Sequence, residues 1–400
     1  MKKNYFFNTL MTIIITAIVT FSVTYLWLYG RTNNNNFGNE EIIGKALSSD
    51  ALSTKLLLIK QKIESNFLGD IDENKLKEYA IKGYVAGLGD EYSQYFSKDE
   101  MTEYTESTLG NYVGIGIYMT KDEEANTVTV YDVIEDSPAE KAGVKANDII
   151  KNVDGKEITG DDFENVANMV KGKSGTVVNI TFLRDNEEIN MKIVRESVVV
   201  KSVKGEMLEN NIGYIYISGF DGDVSSQFKE KYDELLKNGM KSLIIDLRNN
   251  GGGIATEATE IADYFTEKGT PLLIEADKNG HEEITTANTG KEIDMNVVLL
   301  VNKYSASASE ILAGVFKDKV DNATVVGNTT YGKGVIQALY QLNDGSGLKI
   351  TTNKYYTPNH NNIHKEGIKP DIETEEYEFN GDLDKEKDIQ LKKALEVLQQ

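Results

Sequence analysis

The chain has 400 residues but no cysteine, only three histidines and a single tryptophan. The absence of cysteine excludes disulfide bonds and thiolate metal sites, and we expect neither a metal nor a cofactor. Positive charge is also scarce, because 43 lysines and arginines face 64 aspartates and glutamates, for a net charge of -21. Proteins that bind phosphate backbones present a positive surface, so nucleic acid is not an expected partner.

The N-terminus carries a long apolar run. After Lys2 and Lys3 no charged residue appears before Arg31, and Leu10–Leu28 is almost entirely apolar. A helix of this length, at about 1.5 Å per residue, nearly crosses a hydrocarbon core of about 30 Å. No small-x-small cleavage site follows, so residues 1–31 are predicted to be a cytoplasmic tip and an uncleaved transmembrane anchor. The lysines precede the anchor, which places the remainder of the chain outside the cell membrane.

Residues 32–107 are predicted to form a polar tether followed by a small helical domain. Asn33–Asn36 is polar, and apolar residues of Leu56–Phe67 then recur at helical spacing. The segment Gly87–Phe96 interrupts this pattern with glycines. Ordinary packing explains the apolar residues, so no chemistry is assigned to this domain.

Residues 108–197 change to a β-rich pattern around a short helix. Ser137–Gly143 begins with a serine cap and a proline and ends with a glycine, as helix termini prefer. Together with the glycine loop Tyr112–Ile117, this run resembles a PDZ domain. In such domains backbone N–H groups of the loop bind a peptide's terminal carboxylate while the peptide adds as a strand. The peptide-binding residues that the resemblance implies are Tyr112, Val113, Gly114, Ile115, Gly116, Phe163, Val166 and Val170; for the last three, ordinary core packing remains the alternative.

Residues 198–400 alternate between strands and helices, which predicts an α/β domain. The predicted strands are Ile212–Ile217, Ser242–Leu247, Pro271–Ile274 and Val297–Val301. The predicted helices are Ser225–Lys237, Ala255–Lys268, Ser307–Lys319 and Lys385–Leu398. The whole chain is therefore predicted to be a multidomain α+β protein.

Two segments of this last domain hold candidate catalytic groups. The glycine turn, Asp246–Gly253, follows a strand and can direct free N–H groups at a negatively charged oxygen. No Gly-Lys-Ser/Thr follows, so a nucleotide site is not indicated. Ser305, Ser307 and Ser309 lie between a strand and a helix, where a hydroxyl beside a base can act as a nucleophile. The spacing alone does not choose among the three serines.

Lys333 and Gln337 form the third candidate segment. An offset of four places their side chains on one side of a strand or a helix, where Gln337 could hold the lysine amine. A free lysine has a pKa of about 10.4 and hardly accepts a proton at neutral pH. Burial against apolar neighbours lowers that pKa, so we expect the Lys333 amine to be buried and within reach of a serine hydroxyl.

The three segments in this order resemble the carboxyl-terminal processing proteases, also called tail-specific proteases. The runs that carry the resemblance are Asp246–Gly253, Val301–Gly314, Tyr331–Gln337, Tyr355–Pro358 and Gly367–Asp371. The family commonly has proline where this chain has Gly251, which loosens the turn. The resemblance implies a crotonase-like protease core, with Ser309 as nucleophile, Lys333 as general base and Gln337 as its orienting residue. Backbone oxyanion donors are expected at Gly252, Gly253 and Glu310.

The implied function is that of a membrane-anchored serine endopeptidase of Ser-Lys type. Such an enzyme cleaves extracytoplasmic proteins near their C-termini, with the PDZ domain recognising the substrate tail. The expected partners are therefore proteins or peptides with accessible C-termini, and a homo-oligomer is possible.

Other functions were weighed against this one. A Ser–His hydrolase would use His364 or His360, which both lie in a hydrophilic stretch. Exported chymotrypsin-like proteases also carry PDZ domains, but their Gly-x-Ser-Gly-Gly motif is absent here. A catalytically dead PDZ scaffold and a crotonase-like acyl-CoA enzyme complete the alternatives. The intact serine and lysine argue against the scaffold, and the predicted anchor and PDZ domain fit an acyl-CoA enzyme poorly.

Overall fold

The computed structural model describes residues 52–399, so the predicted transmembrane anchor lies outside the described part of the chain. Within residues 52–399 no helix is both long and apolar enough to cross a membrane. The chain divides into two units, Met1–Tyr79 and Ala80–Gln400. The described part of the first unit contains helix α1, Leu52–Asn66, and the start of helix α2, Glu73–Ala86. The helical pattern predicted for this region is confirmed by these two helices.

The second unit continues with strand β1, Gln94–Phe96, and helix α3, Lys98–Thr108. A capping box starts α3, because the Ser97 N–H donates to Glu100 Oε2 at 2.8 Å and the Glu100 N–H donates back to Ser97 Oγ. The sequence did not predict β1. The strand forms because it pairs with a strand about 250 residues further along the chain, Gly347–Tyr356, and no local pattern reports such a partner.

The PDZ-like segment is a small β-domain with two helices. Its elements are β2 (Asn111–Gly114), β3 (Ile117–Asp122), β4 (Thr127–Val133), α4 (Pro138–Ala142), β5 (Ile149–Val153), β6 (Lys156–Glu157), α5 (Phe163–Val170), β7 (Val177–Arg184), β8 (Glu187–Val194) and β9 (Glu196–Val199). The main sheet has the order β3-β4-β5-β7-β8, and β2 pairs separately with β9. Alternate residues of β7, Val178, Ile180 and Phe182, point into the core, as the period of a half-buried strand requires. The predicted cap, proline and terminal glycine of α4 are confirmed.

The last part of the chain is built on a six-stranded sheet of order β10-β11-β12-β15-β16-β19. These strands are β10 (Val203–Met207), β11 (Ile212–Ile217), β12 (Ser242–Asp246), β15 (Val297–Val301), β16 (Ala323–Gly327) and β19 (Ile372–Glu373). From β11 to β19 all neighbours are parallel. Every residue of β12 and β15 is buried, because helices cover both faces of the sheet.

Four helices make these two layers. One face packs against α6 (Val224–Lys237), α7 (Ala255–Asp263) and α8 (Ala308–Lys319), and the other packs against α9 (Ile389–Leu398). Two of these helices are shorter than predicted. Helix α7 ends early because the Tyr264 carbonyl accepts bonds from Glu292 and Ile293 rather than from the next turn. Helix α9 starts late because the Asp388 side chain caps it.

A second, antiparallel sheet lies beside this layer. It consists of β13 (Pro271–Asp277), β14 (Glu282–Thr286), β17 (Val335–Gln341) and β18 (Gly347–Tyr356), with β1 at one edge. Strand β17 begins two residues after Lys333, so this sheet positions the loop that carries the candidate base.

Candidate active site

The serine turn, residues 302–307, connects the buried strand β15 to helix α8. Ser307 is the N-cap residue of α8 and has φ 56° and ψ -113°, a backbone conformation that non-glycine residues rarely adopt. The Glu310 N–H donates to the Ser307 carbonyl at 2.8 Å and approaches the Ser307 side chain only in the looser geometry of a capping box, in which the Glu310 carboxylate accepts the Ser307 N–H. A strained strand-to-helix turn that leaves a hydroxyl free is the geometry that exposes a nucleophilic serine in α/β-hydrolases.

The other two serines of the run are structural. Ser309 has 0% exposure, and its Oγ donates to the Asn250 carbonyl at 2.9 Å. Ser305 is equally buried and its Oγ donates to the Leu247 carbonyl at 2.8 Å. Ser307, by contrast, is partly exposed. The Ser309 hydroxyl is enclosed and fastens α8 to the glycine turn, a setting that does not favour a nucleophile, so the assignment of Ser309 stays a prediction.

The glycine turn is held by the buried side chain of Asn250. Its Nδ2 donates to the Ile217 carbonyl at 2.8 Å, and its Oδ1 accepts the Gly252 N–H at 2.9 Å. The Asn250 carbonyl also accepts the Ala306 N–H at 3.0 Å. Gly252 has φ 97°, and an added Cβ would lie 2.6 Å from the Ala306 carbonyl oxygen and 2.9 Å from the Ala308 nitrogen. The two turns therefore touch backbone to backbone, which only glycine permits.

A buried ion cluster fixes the start of the same glycine turn. Arg248, with 0% exposure, donates from Nη2 to Asp246 at 2.6 Å and from Nη1 to Asp388 at 2.9 Å. The Tyr214 hydroxyl donates to the same Asp246 carboxylate. The guanidinium also lies 4.1 Å from the ring centroid of Phe379. Buried charges that are paired in this way cost much to rearrange, so they hold the turn rigidly.

Two of the three predicted oxyanion donors are already engaged. The Gly252 N–H donates to Asn250 Oδ1, and the Glu310 N–H donates to the Ser307 carbonyl. The oxyanion role of these two N–H groups stays a prediction that would require each to leave its present acceptor. The N–H groups of Gly253 and Ala308 have no acceptor in the part of the chain that the structure describes. Ala308 directly follows Ser307, and Gly253 directly follows Gly252, whose added Cβ would lie 2.7 Å from Ser307 Cβ.

Lys333 meets the expectation of burial. Its Nζ lies 4.9 Å from the ring centroid of Tyr92, and burial lowers the pKa of its amine. The positive charge of Lys349 lowers that pKa further, while the carboxylate of Glu310 opposes the shift. Among residues 52–399 no hydrogen bond joins Lys333 Nζ to a serine hydroxyl, although the Ser307 and Lys333 N–H groups both donate to Glu310 Oε2, at 2.9 and 2.8 Å.

Gln337 does not contact the Lys333 amine by a hydrogen bond within the described chain. Its Nε2 donates to Thr351 Oγ1 at 3.1 Å. Strand β17 has an irregular register between Ile336 and Gln337, which breaks the simple offset of four that the sequence suggested. The orienting role of Gln337 stays a prediction.

Sequence reasoning missed the contribution of the segment before β1. Tyr92 covers the Lys333 amine, and Ser93 Oγ accepts the Thr351 N–H at 3.1 Å. Ser93 in turn donates to Asp90 at 2.5 Å. These hydrogen bonds link Asp90 to Gln337 through Ser93 and Thr351, and Tyr92 of the same segment covers the lysine amine. The motif in Gly87–Phe96 was visible, but nothing local indicated that it packs against a loop more than 200 residues away.

The histidines are poorly placed for a Ser–His site. His360 is half exposed, bonds Glu282 at 2.8 Å and stacks on Tyr356. The backbone of His364 packs against Gly334, and its buried Nδ1 has no partner in the described part of the chain. Neither imidazole has a hydrogen bond to a serine among residues 52–399.

The predicted peptide-binding residues of the PDZ-like segment divide between a groove and the core. A groove of about 360 Å³ lies beside β3 and α5, and its lining includes Tyr112, Ile117, Tyr118, Met119, Val170 and Lys171. Val166 and Ile115 are fully buried in the domain core, and Phe163 packs against that core. Of the predicted set, Tyr112 and Val170 line this groove.

Known proteins were compared with this fold and site. A model of Peptidase family S41 matches residues 211–374, and a PDZ domain model matches residues 113–194. A probable CtpA-like serine protease of Staphylococcus aureus is 38% identical over 376 residues, which cover 93% of this chain and 73% of that protein. A relative of the same description from Staphylococcus epidermidis is 37% identical over 320 residues, or 80% of this chain and 64% of its own.

Solved structures were compared as well. An S41 protease from Bacteroides fragilis superposes with a TM-score of 0.50 at 18% identity, over 78% of this chain and 86% of that chain. A photosystem II D1 C-terminal processing protease has a TM-score of 0.47 at 27% identity, over 80% of this chain and 86% of its own. Fold and motifs define a serine peptidase with a PDZ domain. Within that class, the chain belongs to the C-terminal processing protease family of S41 peptidases.

Proposed function

We propose that this peptidase uses Ser307 as nucleophile and Lys333 as general base. The observation that carries the proposal is the strained backbone of Ser307, whose side chain is partly exposed and which directly precedes Ala308, a residue whose N–H has no acceptor among residues 52–399. Lysine burial supports the second role, because a lowered pKa supplies the neutral amine that must accept the serine proton. Gln337 is retained as a candidate orienting residue that would act after its amide turns from Thr351 toward the lysine.

The chemistry is acyl-enzyme peptide hydrolysis. Ser307 Oγ attacks the scissile carbonyl while the Lys333 amine takes the hydroxyl proton. The oxyanion that forms accepts hydrogen bonds from the Gly253 and Ala308 N–H groups. The lysine then gives its proton to the leaving amine, and a water molecule, deprotonated by the same lysine, releases the acyl group and regenerates Ser307.

The PDZ domain is proposed to recognise the substrate tail. Among residues 52–399, strand β3 pairs with β4 alone, so its other edge can receive a peptide strand within the groove beside α5. Cleavage near the C-terminus follows if the tail is held in this groove while the upstream chain reaches Ser307. The apolar run Leu10–Leu28 supports a membrane anchor, with the catalytic part acting outside the cytoplasm. A crotonase-like relationship of the core is likewise part of the proposal.

A pair of serine variants tests the catalytic assignment. Ser307→Ala should abolish hydrolysis of a casein substrate and labelling by a fluorophosphonate probe. Ser309→Ala, the matched control, loses one buried hydrogen bond worth about 1 kcal/mol and should keep most of its activity. The reverse result would restore Ser309 as nucleophile.

The rival functions give different results in the same assays. A PDZ scaffold predicts no probe labelling in the wild-type chain. A Ser–His hydrolase predicts that His364→Ala abolishes turnover and that Lys333→Ala does not. The proposed site predicts the opposite, with Lys333→Ala folded and inactive.

A further inference from the structure

We propose that the Glu310 carboxylate is a positioning residue that clamps the serine turn to the lysine loop, residues 330–334. The inference rests on the proposed roles of Ser307 and Lys333 and extends them, because it names the group that sets their separation. Glu310 touches neither substrate nor the reacting atoms, and it acts through the backbone of both catalytic residues.

Four donors surround the two carboxylate oxygens of Glu310. Oε1 accepts Thr330 Oγ1 at 2.6 Å and the Gly332 N–H at 2.7 Å. Oε2 accepts the Lys333 N–H at 2.8 Å and the Ser307 N–H at 2.9 Å. Three donors thus come from the lysine loop and one from the serine turn, and the two catalytic residues share one oxygen atom.

Because this carboxylate is buried, the loss of any of its hydrogen bonds is costly. Glu310 has 0% exposure and no lysine or arginine bonds it, so its charge is held only by these hydrogen bonds in the described chain. A buried carboxylate that loses a donor has no water to replace it. If the lysine loop moves away, the charge loses three donors together, so the loop is expected to be either fully docked or fully released.

The same carboxylate acts on the charge of the base. Glu310 raises the pKa of Lys333, against burial and Lys349, which lower it. The groups that face the lysine amine are Glu310 of α8, Lys349 of β18, and Asp90, Glu91 and Tyr92 of the segment before β1. Removal of the Glu310 charge should therefore lower the pKa of the Lys333 amine.

Glu310→Gln tests both effects. The amide presents an NH₂ group to two N–H donors, so the turn and the loop should separate and kcat should fall at least tenfold with KM within about threefold. The acid limb of the kcat/KM profile, where Lys333 loses its proton, should move to lower pH. Glu100→Gln is the matched control, since Glu100 closes a similar capping box in α3 away from the lysine loop. It should leave both kcat and the acid limb unchanged.

Glu310→Asp separates position from charge. The shorter side chain keeps the charge but cannot reach both segments, so kcat should fall while the acid limb stays within about 0.3 pH units of the wild type. This variant decides the matter if Glu310→Gln does not fold. An active wild-type enzyme in which both Glu310 variants keep kcat and the acid limb overturns the clamp. A wild-type enzyme without activity or Ser307 labelling overturns the proposed function itself.

A separate observation concerns the PDZ groove. We infer that the Tyr112 side chain occupies the carboxylate site of this groove, so that a substrate tail binds by displacing it. The tyrosine ring lies over Gly114, where an added Cβ would be 2.6 Å from Tyr112 Cε2. Its hydroxyl faces the N–H groups of Gly116 and Ile117 at the start of β3.

These two N–H groups are the ones that a terminal carboxylate would use, because they open the free edge of β3. Burial raises the pKa of Tyr112 to about 12, so the hydroxyl that faces them is neutral. A carboxylate carries a full charge and forms stronger hydrogen bonds than a neutral phenol. The substrate tail can therefore replace the tyrosine hydroxyl at these N–H groups. The Lys171 Nζ lies close by, 5.5 Å from the centroid of the Tyr112 ring.

Binding of a labelled decapeptide that ends in valine tests the inference. In Tyr112→Phe the hydroxyl is lost and the N–H groups are freed, so the dissociation constant should fall at least threefold. The amidated peptide should show no such gain. Tyr131→Phe, a change at an exposed tyrosine of β4 that does not line the groove, is the matched control and should bind like the wild type. Equal or weaker binding to Tyr112→Phe, including no binding at all, contradicts the inference.

Discussion

The two proposed backbone cradles for a negatively charged oxygen have different surroundings. The one beside Ser307 is held by buried charges, Arg248 between two aspartates and the Glu310 carboxylate. The one in the PDZ loop is faced by the chain's own Tyr112. An oxyanion exists only briefly, so its donors must be in place beforehand. A substrate tail must bind and leave, so the N–H donors that hold it are suited to an internal partner that the tail can displace.

Loss of Arg248 should have the largest effect of the changes that test the difference between the two regions. Arg248→Ala leaves Asp246 and Asp388 buried beside each other without a cation, and should lower the free energy of unfolding by about 3–5 kcal/mol. Urea unfolding measures the change. In the PDZ domain, Arg184 pairs with the buried Asp148 but is itself partly exposed. Arg184→Ala should cost less, and an equal or larger loss would show that the two regions do not differ in this respect.

The contact of Gly252 with the serine turn gives the next largest effect. In Gly252→Ala the added Cβ meets the Ala306 carbonyl oxygen, so the Gly253 N–H should be displaced and kcat should fall by about 10²-fold or more. Peptidase assays on folded protein measure this. Gly143 has a similar φ of 86° with nothing within 4 Å of its added Cβ. Gly143→Ala should cost about 1 kcal/mol of stability and leave kcat unchanged.

The core of the PDZ domain should respond to the loss of Val166. Val166→Ala removes a fully buried side chain and should destabilise the domain by roughly 2 kcal/mol, measured as a shift in thermal unfolding. Val177 is 48% exposed on β7, so Val177→Ala is the control and should change stability by less than about 0.5 kcal/mol. If Val166→Ala loses peptide affinity but not stability, Val166 contacts the peptide in the groove rather than supporting the domain core.

The pH dependence should show the smallest effect. Activity requires the neutral Lys333 amine, so it should rise with pH through the lowered pKa of this residue. Lys349→Met removes a positive charge that lowers this pKa, so the pKa should rise and the acid limb should move to higher pH by up to about one unit. If the acid limb of the activity profile stays in place or moves to lower pH, the charge of Lys349 does not lower the pKa of Lys333.

Local patterns were sufficient for most secondary structure. The Ser137, Pro138 and Gly143 signals located α4 correctly, and continuous apolar runs located the buried strands β12 and β15. The ends of α7 and α9 were missed because bonds from distant loops and a side-chain cap decide them. Strand β1 was missed because its pairing partner is remote in sequence.

The amino-acid sequence by itself determined the family, the order of its domains and the reactive residue types, a serine run before a helix and a lysine downstream. These features are local, since each depends on neighbours within a few positions. Only the tertiary structure decided which serine is free, which N–H groups remain unpaired and that Glu310 joins the two catalytic segments. Those properties depend on burial and on donors brought together from distant segments, and a linear spacing contains neither.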